Sequence, residues 1–201
     1  MTAGTNETKP EAGARERLLT AALALFNEKG YAAASVREIV QAAGVTKPVL
    51  YYYFGSKEGL YLELMGSSYR SFESLAAGVA SVEGSAREKI VRFCGELFDT
   101  SRQKLPEVRL IHAIHYGPPQ GAPHFDIEAY YFRLMELIQR LVSEGTASGE
   151  FRQESAGDVA RAIIAIITAA VNDQLSSRDE KLDREGMARM LSFLFNGIAK
   201  A

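Results

Sequence analysis

Residues 35–57, SVREIVQAAGVTKPVLYYYFGSK, decide how the rest of the chain is read. Val36, Ile39, Val40 and Ala43 recur at i, i+3, i+4 and i+7, one apolar stripe of a helix. Ser35 stands just ahead of that stripe and Glu38 follows three residues later, the pattern of a capping box. Gly44 comes where a chain leaving a helix needs a left-handed residue, and glycine has no Cβ to clash there. Thr46 is placed to accept from a first-turn N–H and cap a second helix. Pro48 is tolerated next, because first-turn N–H groups have no intrahelical partner to lose. Leu50 and Phe54, at i and i+4, would pack this helix down and leave Lys47, Pro48, Tyr51 and Tyr52 outward. The grammar is helix–turn–helix, and its second helix is the one shaped to enter a DNA major groove.

The stretch 44–64, GVTKPVLYYYFGSKEGLYLEL, resembles the recognition helix and following helix start of the tetracycline-repressor (TetR) family. SVREIVQAAG before it resembles that family's first helix–turn–helix element. The likeness covers residues 14 to about 65, with Gly44, Val45, Thr46, Leu50, Tyr51, Phe54, Ser56, Lys57 and Glu58 in the expected order. It implies a three-helix DNA-binding head on a helical body that dimerises and binds a small molecule. Ligand binding would move two heads apart and release DNA.

Composition sets wider bounds. Hydrophobic content of 47% with 24% charged residues is that of an ordinary globular chain, and 201 residues suffice for one or two domains. A single cysteine, Cys94, excludes an intramolecular disulfide, fits a reducing cytoplasm and reads as a small buried apolar residue. The longest apolar run, AIIAIITAAV at 162–171, is well short of the roughly 20 residues that a membrane span needs. Residues 1–13 are polar, lack the apolar segment of a signal peptide, and are expected to form a disordered arm. Net charge is −2, with +1 over residues 1–60 and −3 over the rest. DNA binding would therefore rest on a few placed charges, with a moderate salt dependence.

Taken in order, the chain reads as all-α, with about nine helices. A first helix spans 14–29 and ends at Gly30, with Tyr31 packing beneath the head. The helix–turn–helix occupies 35–42 and 46–53, and Ser56 can cap a fourth helix over 57–79. Further helices are expected at 86–102, 106–116, 124–145, 157–176 and 183–199, with a Gly/Pro-rich loop at 117–123. The 157–176 helix is apolar on most sides and so must be buried on several faces, as monomer core, as dimer contact or as both. Domains are expected at 14–59 for DNA binding and 60–201 for ligand binding and dimerisation.

The DNA-facing set is Ser35, Arg37, Thr46, Lys47, Pro48, Tyr51, Tyr52 and Lys57. Lys47 is the foremost base reader, donating to guanine O6 or N7. Arg37 is the second by resemblance, or else a solvated charge. Tyr51 and Tyr52 can reach phosphates with their hydroxyls, and Tyr52 can lay its ring on a thymine methyl. Ser35 and Thr46 have hydroxyls for backbone contacts, and Pro48 can make only an apolar one. Lys57 would add an ammonium to the positive end of the fourth helix, which suits a phosphate. Tyr53 should be half-buried. One head reads few bases, so two heads about 34–36 Å apart on a pseudo-palindrome are expected. A homodimer through the last two helices would supply them.

The body is rich in aromatics, and such a bundle either packs solid or holds a cavity for an apolar or aromatic ligand. The candidate lining is Tyr69, Phe72, Phe93, Phe98, His112, His115, Tyr116, Tyr131 and Met135. His112, His115 and His124 lie within 13 residues, with Asp126 and Glu128 following. A metal site is conceivable there, but no full ligand set accompanies them, and a polar pocket rim is the alternative. Neither metal nor cofactor is expected. No G-x-S-x-G, H-E-x-x-H, Walker loop or E-x-x-H pair occurs, so an enzyme is not expected. The sequence thus points to a cytoplasmic, ligand-responsive repressor that leaves a double-stranded operator when a small effector binds. An activator, or a DNA binder with no small-molecule effector, is the alternative.

Overall fold

The computed structural model describes residues 13–79, 83–176, 179 and 181–198. The arm expected at residues 1–13 lies almost wholly outside them. Among the described residues the chain forms nine helices: α1 (Ala14–Ala33), α2 (Val36–Ala42), α3 (Lys47–Phe54), α4 (Lys57–Val79), α5 (Ala86–Gln103), α6 (Leu105–Tyr116), α7 (Ile127–Ala147), α8 (Ala156–Leu175) and α9 (Arg184–Ile198). The chain is all-α, as the hydrophobic periodicity predicts. Among the described residues no helix is long and apolar enough to cross a membrane.

Two boundaries differ by more than two residues from the sequence reading. α1 continues past Lys29 to Ala33, but through a break at Gly30, whose φ of 81° and ψ of 164° are not helical. The glycine thus turns the chain as expected, and one more turn forms beyond it. α7 starts at Ile127 and not at 124, because the Asp126 carboxylate accepts from Ala129 N–H (3.0 Å) and caps the helix there.

The chain divides into two compact units. One takes residues up to Ser67 together with Arg109–Phe125, and the other takes Ser68–Val108 with Asp126–Ala201. The first unit therefore includes the start of α4, most of α6 and the loop after it.

In the first unit α1, α2 and α3 pack on one another. Leu18, Phe26, Ile39, Leu50, Leu60 and Tyr61 form its fully buried centre. Tyr31 is buried as expected, with its ring 5.3 Å from Phe26 and 5.2 Å from Tyr61. In the second unit α7 packs on α5 and α8, and α9 on α5 and α8. Phe93, Cys94, Phe98, Ile138, Ile163, Leu191 and Phe195 lose essentially all exposure there. Phe151 and Phe195 stack at 5.5 Å with rings 10° from parallel. Burial pushes the Cys94 thiol far above its ordinary pKa, so this cysteine is core.

Candidate nucleic-acid interface

The helix–turn–helix is built by local capping. Ser35 Oγ accepts from Glu38 N–H (3.3 Å) and donates to Glu38 Oε2 (2.7 Å), while Ser35 N–H donates to the same carboxylate (3.0 Å). Both halves of the predicted capping box are present. Lys29 from α1 also donates to the Glu38 carboxylate. That bond, and those from Ser35, hold Glu38 at a pKa of about 2. α2 ends in a Schellman turn: Val45 N–H reaches the Val40 carbonyl (2.9 Å) and Gly44 N–H the Gln41 carbonyl (3.2 Å). Gly44 takes φ 63° to close it, with nothing near where a Cβ would stand. From α1, Arg17 Nε donates to the Ala43 carbonyl (3.0 Å) and ties this turn down.

α3 then starts with Thr46 at the N-cap and Pro48 in the first turn. Thr46 has the extended backbone of a cap, but its side chain accepts no N–H, so the expected capping bond is not made and the hydroxyl stays exposed. Leu50 is fully buried, and Phe54 is half-buried under the Arg15 guanidinium, 5.7 Å from the ring centroid. The opposite face is bare. Tyr52 is 71% exposed and Tyr51 49%, and Lys47, Pro48 and Arg37 are exposed as well. Neither Lys47 nor Arg37 meets a partner among the described residues. Tyr53 is half-buried, its ring 5.1 Å from that of Tyr52. Arg37, Lys47, Pro48, Tyr51 and Tyr52 are thus a cation–aromatic surface carried by two short helices.

Lys57 differs from its expected state. Its Nζ donates to the carbonyls of Tyr31 (2.9 Å) and Ala34 (3.0 Å) and lies 4.1 Å from the Tyr31 ring centroid. It is half-buried, and that burial lowers its pKa. Ser35 is likewise engaged within the head, through Glu38. The head also carries a residue that the sequence did not single out. Gln120, in the loop after α6, accepts from Tyr31 N–H through Oε1 (3.4 Å), and Gly30 leaves the space for it. No local pattern announces a contact between residues so far apart in the chain.

The sequence model described as "Bacterial regulatory proteins, tetR family" matches residues 18–64, which span α1 to α3 and the start of α4. The HTH-type transcriptional activator FasR of Mycolicibacterium smegmatis is 30% identical over 175 residues, 84% of this chain and 78% of that protein. The chain belongs to the TetR family of transcriptional regulators. The HTH-type transcriptional repressor NicS of Pseudomonas putida is 23% identical over 90% of this chain and 88% of its own. The crystal structure of the TetR-family regulator PfmR from Thermus thermophilus superposes with a TM-score of 0.72 at 23% identity, covering 92% of this chain and all of that one. TetR-family regulators bind DNA and act as dimers.

The residues expected to line a ligand pocket are divided between the two units. Phe72, Phe93, Phe98 and Met135 are buried parts of the second unit's packed core, and Tyr69 is half-buried beside Phe72 (6.3 Å). Tyr131 is exposed on α7. His112, His115 and Tyr116 belong to the first unit, where the Tyr116 ring sits 4.8 Å from His112 and 4.4 Å from His115 and is 66% exposed. An aromatic count does not tell a filled core from a lined cavity, and here the rings pack on one another. A groove of about 570 Å³ does open between α5 and α9, but Arg87, Val91, Arg92, Arg184 and Met187 line it, and none of the expected residues does. Among the described residues no three His, Cys, Asp or Glu side chains come together to hold a metal ion.

Proposed function

We propose that this TetR-family regulator works as a homodimer that holds a pseudo-palindromic operator through α2 and α3 and leaves it when a small apolar or aromatic effector binds. The observation that carries the reading is the bare face of α3. A helix of eight residues, anchored by one buried leucine, keeps two tyrosines and a lysine in solvent. Exposed aromatic area of this kind is retained where a partner covers it. Lys47 reads guanine, Arg37 supports it from α2, and Tyr51 and Tyr52 contact phosphates or a thymine methyl. Pro48 and the Thr46 hydroxyl complete the contact.

For dimerisation, α9 exposes Phe193 (75%) and Met190 (37%), while Ala165, Thr168 and Ala169 leave α8 with a small-residue outer surface. Such surfaces suit close packing across a two-fold axis. For the effector, the Phe72 ring in the second unit meets Tyr130 at 4.3 Å, and on the next residue Glu73 Oε1 pairs with Arg133 Nε (3.6 Å). Aromatic rings with a charged pair at their edge suit an aromatic ligand carrying a polar group. FasR bears the name of an activator and NicS that of a repressor. Repression is our reading here, and the sign is set by where the operator lies relative to the promoter.

The test is selection of duplex DNA from a random library, followed by sedimentation of the chain with and without the enriched site. A symmetric site bound by two copies, lost in Phe193→Glu, is the expected result. No enrichment over random DNA would sink the reading.

A further inference from the structure

We infer that Lys57 is a positioning residue of the DNA-binding head, locking the corner between α1 and α2 that aims Arg37, and is not a phosphate ligand. This inference rests on the reading of α2 and α3 as the DNA-contacting surface.

The corner is a place where the backbone needs help. α1 breaks at Gly30, a last turn carries the chain to Ala33, Ala34 is extended (φ −76°, ψ 115°), and Ser35 opens α2 one residue later. Carbonyls at a helix end have no intrahelical donor. Those of Tyr31 and Ala34 sit on either side of the exit from α1, and the ammonium of Lys57 bonds both, across 26 and 23 residues of sequence. An ammonium has three donors. Two are on these carbonyls, and the Tyr31 ring lies 4.1 Å from the same nitrogen. The ring is fixed in turn by Phe26 and Tyr61. The charge is therefore directed inward at the chain just before α2.

Arg37 is three residues beyond Ala34 and Lys47 is in the first turn of α3, and both stand exposed with no partner among the described residues. The three cations that a sequence reading groups together thus divide into two that face solvent and one that sets the backbone of the first. Changing Lys57 should act on DNA through Arg37. A phosphate contact at Lys57 would act independently of it.

A double-mutant cycle separates the two. The probe is the duplex enriched by the wild-type chain from a random library, with Kd measured across a salt series for wild type, Lys57→Met, Arg37→Ala and the double variant. Lys57→Met alone should weaken binding about tenfold, and in the Arg37→Ala background by less than about threefold, because coupled residues are not additive. In that background the slope of log K against log salt should not change. Additive effects, with the slope shallower by about 0.9 in both backgrounds, would show a neutralised phosphate and overturn the inference.

Lys57→Arg covers the case in which Lys57→Met does not fold. A phosphate contact tolerates the guanidinium, whereas a half-buried slot shaped by two carbonyls and a ring does not. Weakened binding by Lys57→Arg supports the positioning role, and retained binding overturns it. If the wild-type chain enriches no sequence at all, the DNA-binding reading falls and this inference falls with it.

Discussion

The helix–turn–helix and the bundle of the second unit are held together by different means. In the bundle, α5, α7, α8 and α9 bury whole faces of Phe, Ile and Leu against each other. In the head, α2 and α3 are seven and eight residues long and bury Ile39, Val40 and Leu50 between them. Helices that short are marginal alone, so their placing falls to point contacts. Arg17 bonds the Ala43 carbonyl, Lys29 the Glu38 carboxylate, Lys57 two carbonyls, and Gln120 an N–H. Burial is non-directional and tolerates rearrangement, whereas a hydrogen bond to a named backbone atom fixes an angle. The region that must present side chains in register is the one fixed by directional bonds.

The contrast can be broken most sharply in the bundle. Phe93→Ala, at a fully buried ring, should lower unfolding stability by about 3–5 kcal/mol, read from denaturant midpoints. A loss under about 1 kcal/mol would mean that the bundle is not held by packing as described. Lys47→Ala should do the opposite. It should leave the denaturation curve unchanged and lower discrimination for the enriched duplex by about 1–3 kcal/mol, measured as the ratio of specific to random-site Kd. A shift in the denaturation midpoint would make Lys47 part of the scaffold.

Gly44→Ala tests the turn. No atom lies within 4 Å of the new methyl, so only the positive φ resists it, at about 1–2 kcal/mol. An unchanged stability would show that the turn adapts. The smallest effect concerns pH. The folded pKa of Glu38, about 2, lies below its ordinary 4.5, so its contribution is complete above about pH 4.5 and is lost as pH falls toward about 2. Midpoints for Glu38→Gln should fall less than those of the wild-type chain across that window. Parallel curves would place the Lys29–Glu38 bond in solvent with no net effect.

Much of the head was legible in sequence because its instructions are local. Ser35 with Glu38, Gly44 and Pro48 each act within a few residues, and they mark the ends of α2 and α3 to within a residue. The same local rules found Asp126 only as a carboxylate near the histidines and missed it as the cap that delays α7. Lys57 was legible as a cation at a helix start, a description that holds equally for a lysine facing a phosphate and one facing carbonyls. Only the fold of Tyr31–Ala34 back toward α4 separates the two. Gln120 had no signal, since a lone glutamine in a proline-rich loop has no period or motif. Of the body's aromatics, Phe72, Phe93 and Phe98 turn inward, while Tyr116 and Tyr131 stay exposed. Whether an inward ring lines a space or fills it depends on its neighbours across the bundle, and those are not encoded in spacing.

Because the first unit draws on two separate stretches of chain, the head is not a cassette. A chimera that transplants residues 1–67 onto another regulator's body would leave Arg109–Phe125 behind, and Tyr31 N–H would meet whatever that body offers in place of Gln120. Exchanging both stretches together is the cut that respects how this chain is built, and it makes the loop after α6 part of any redesign of DNA specificity.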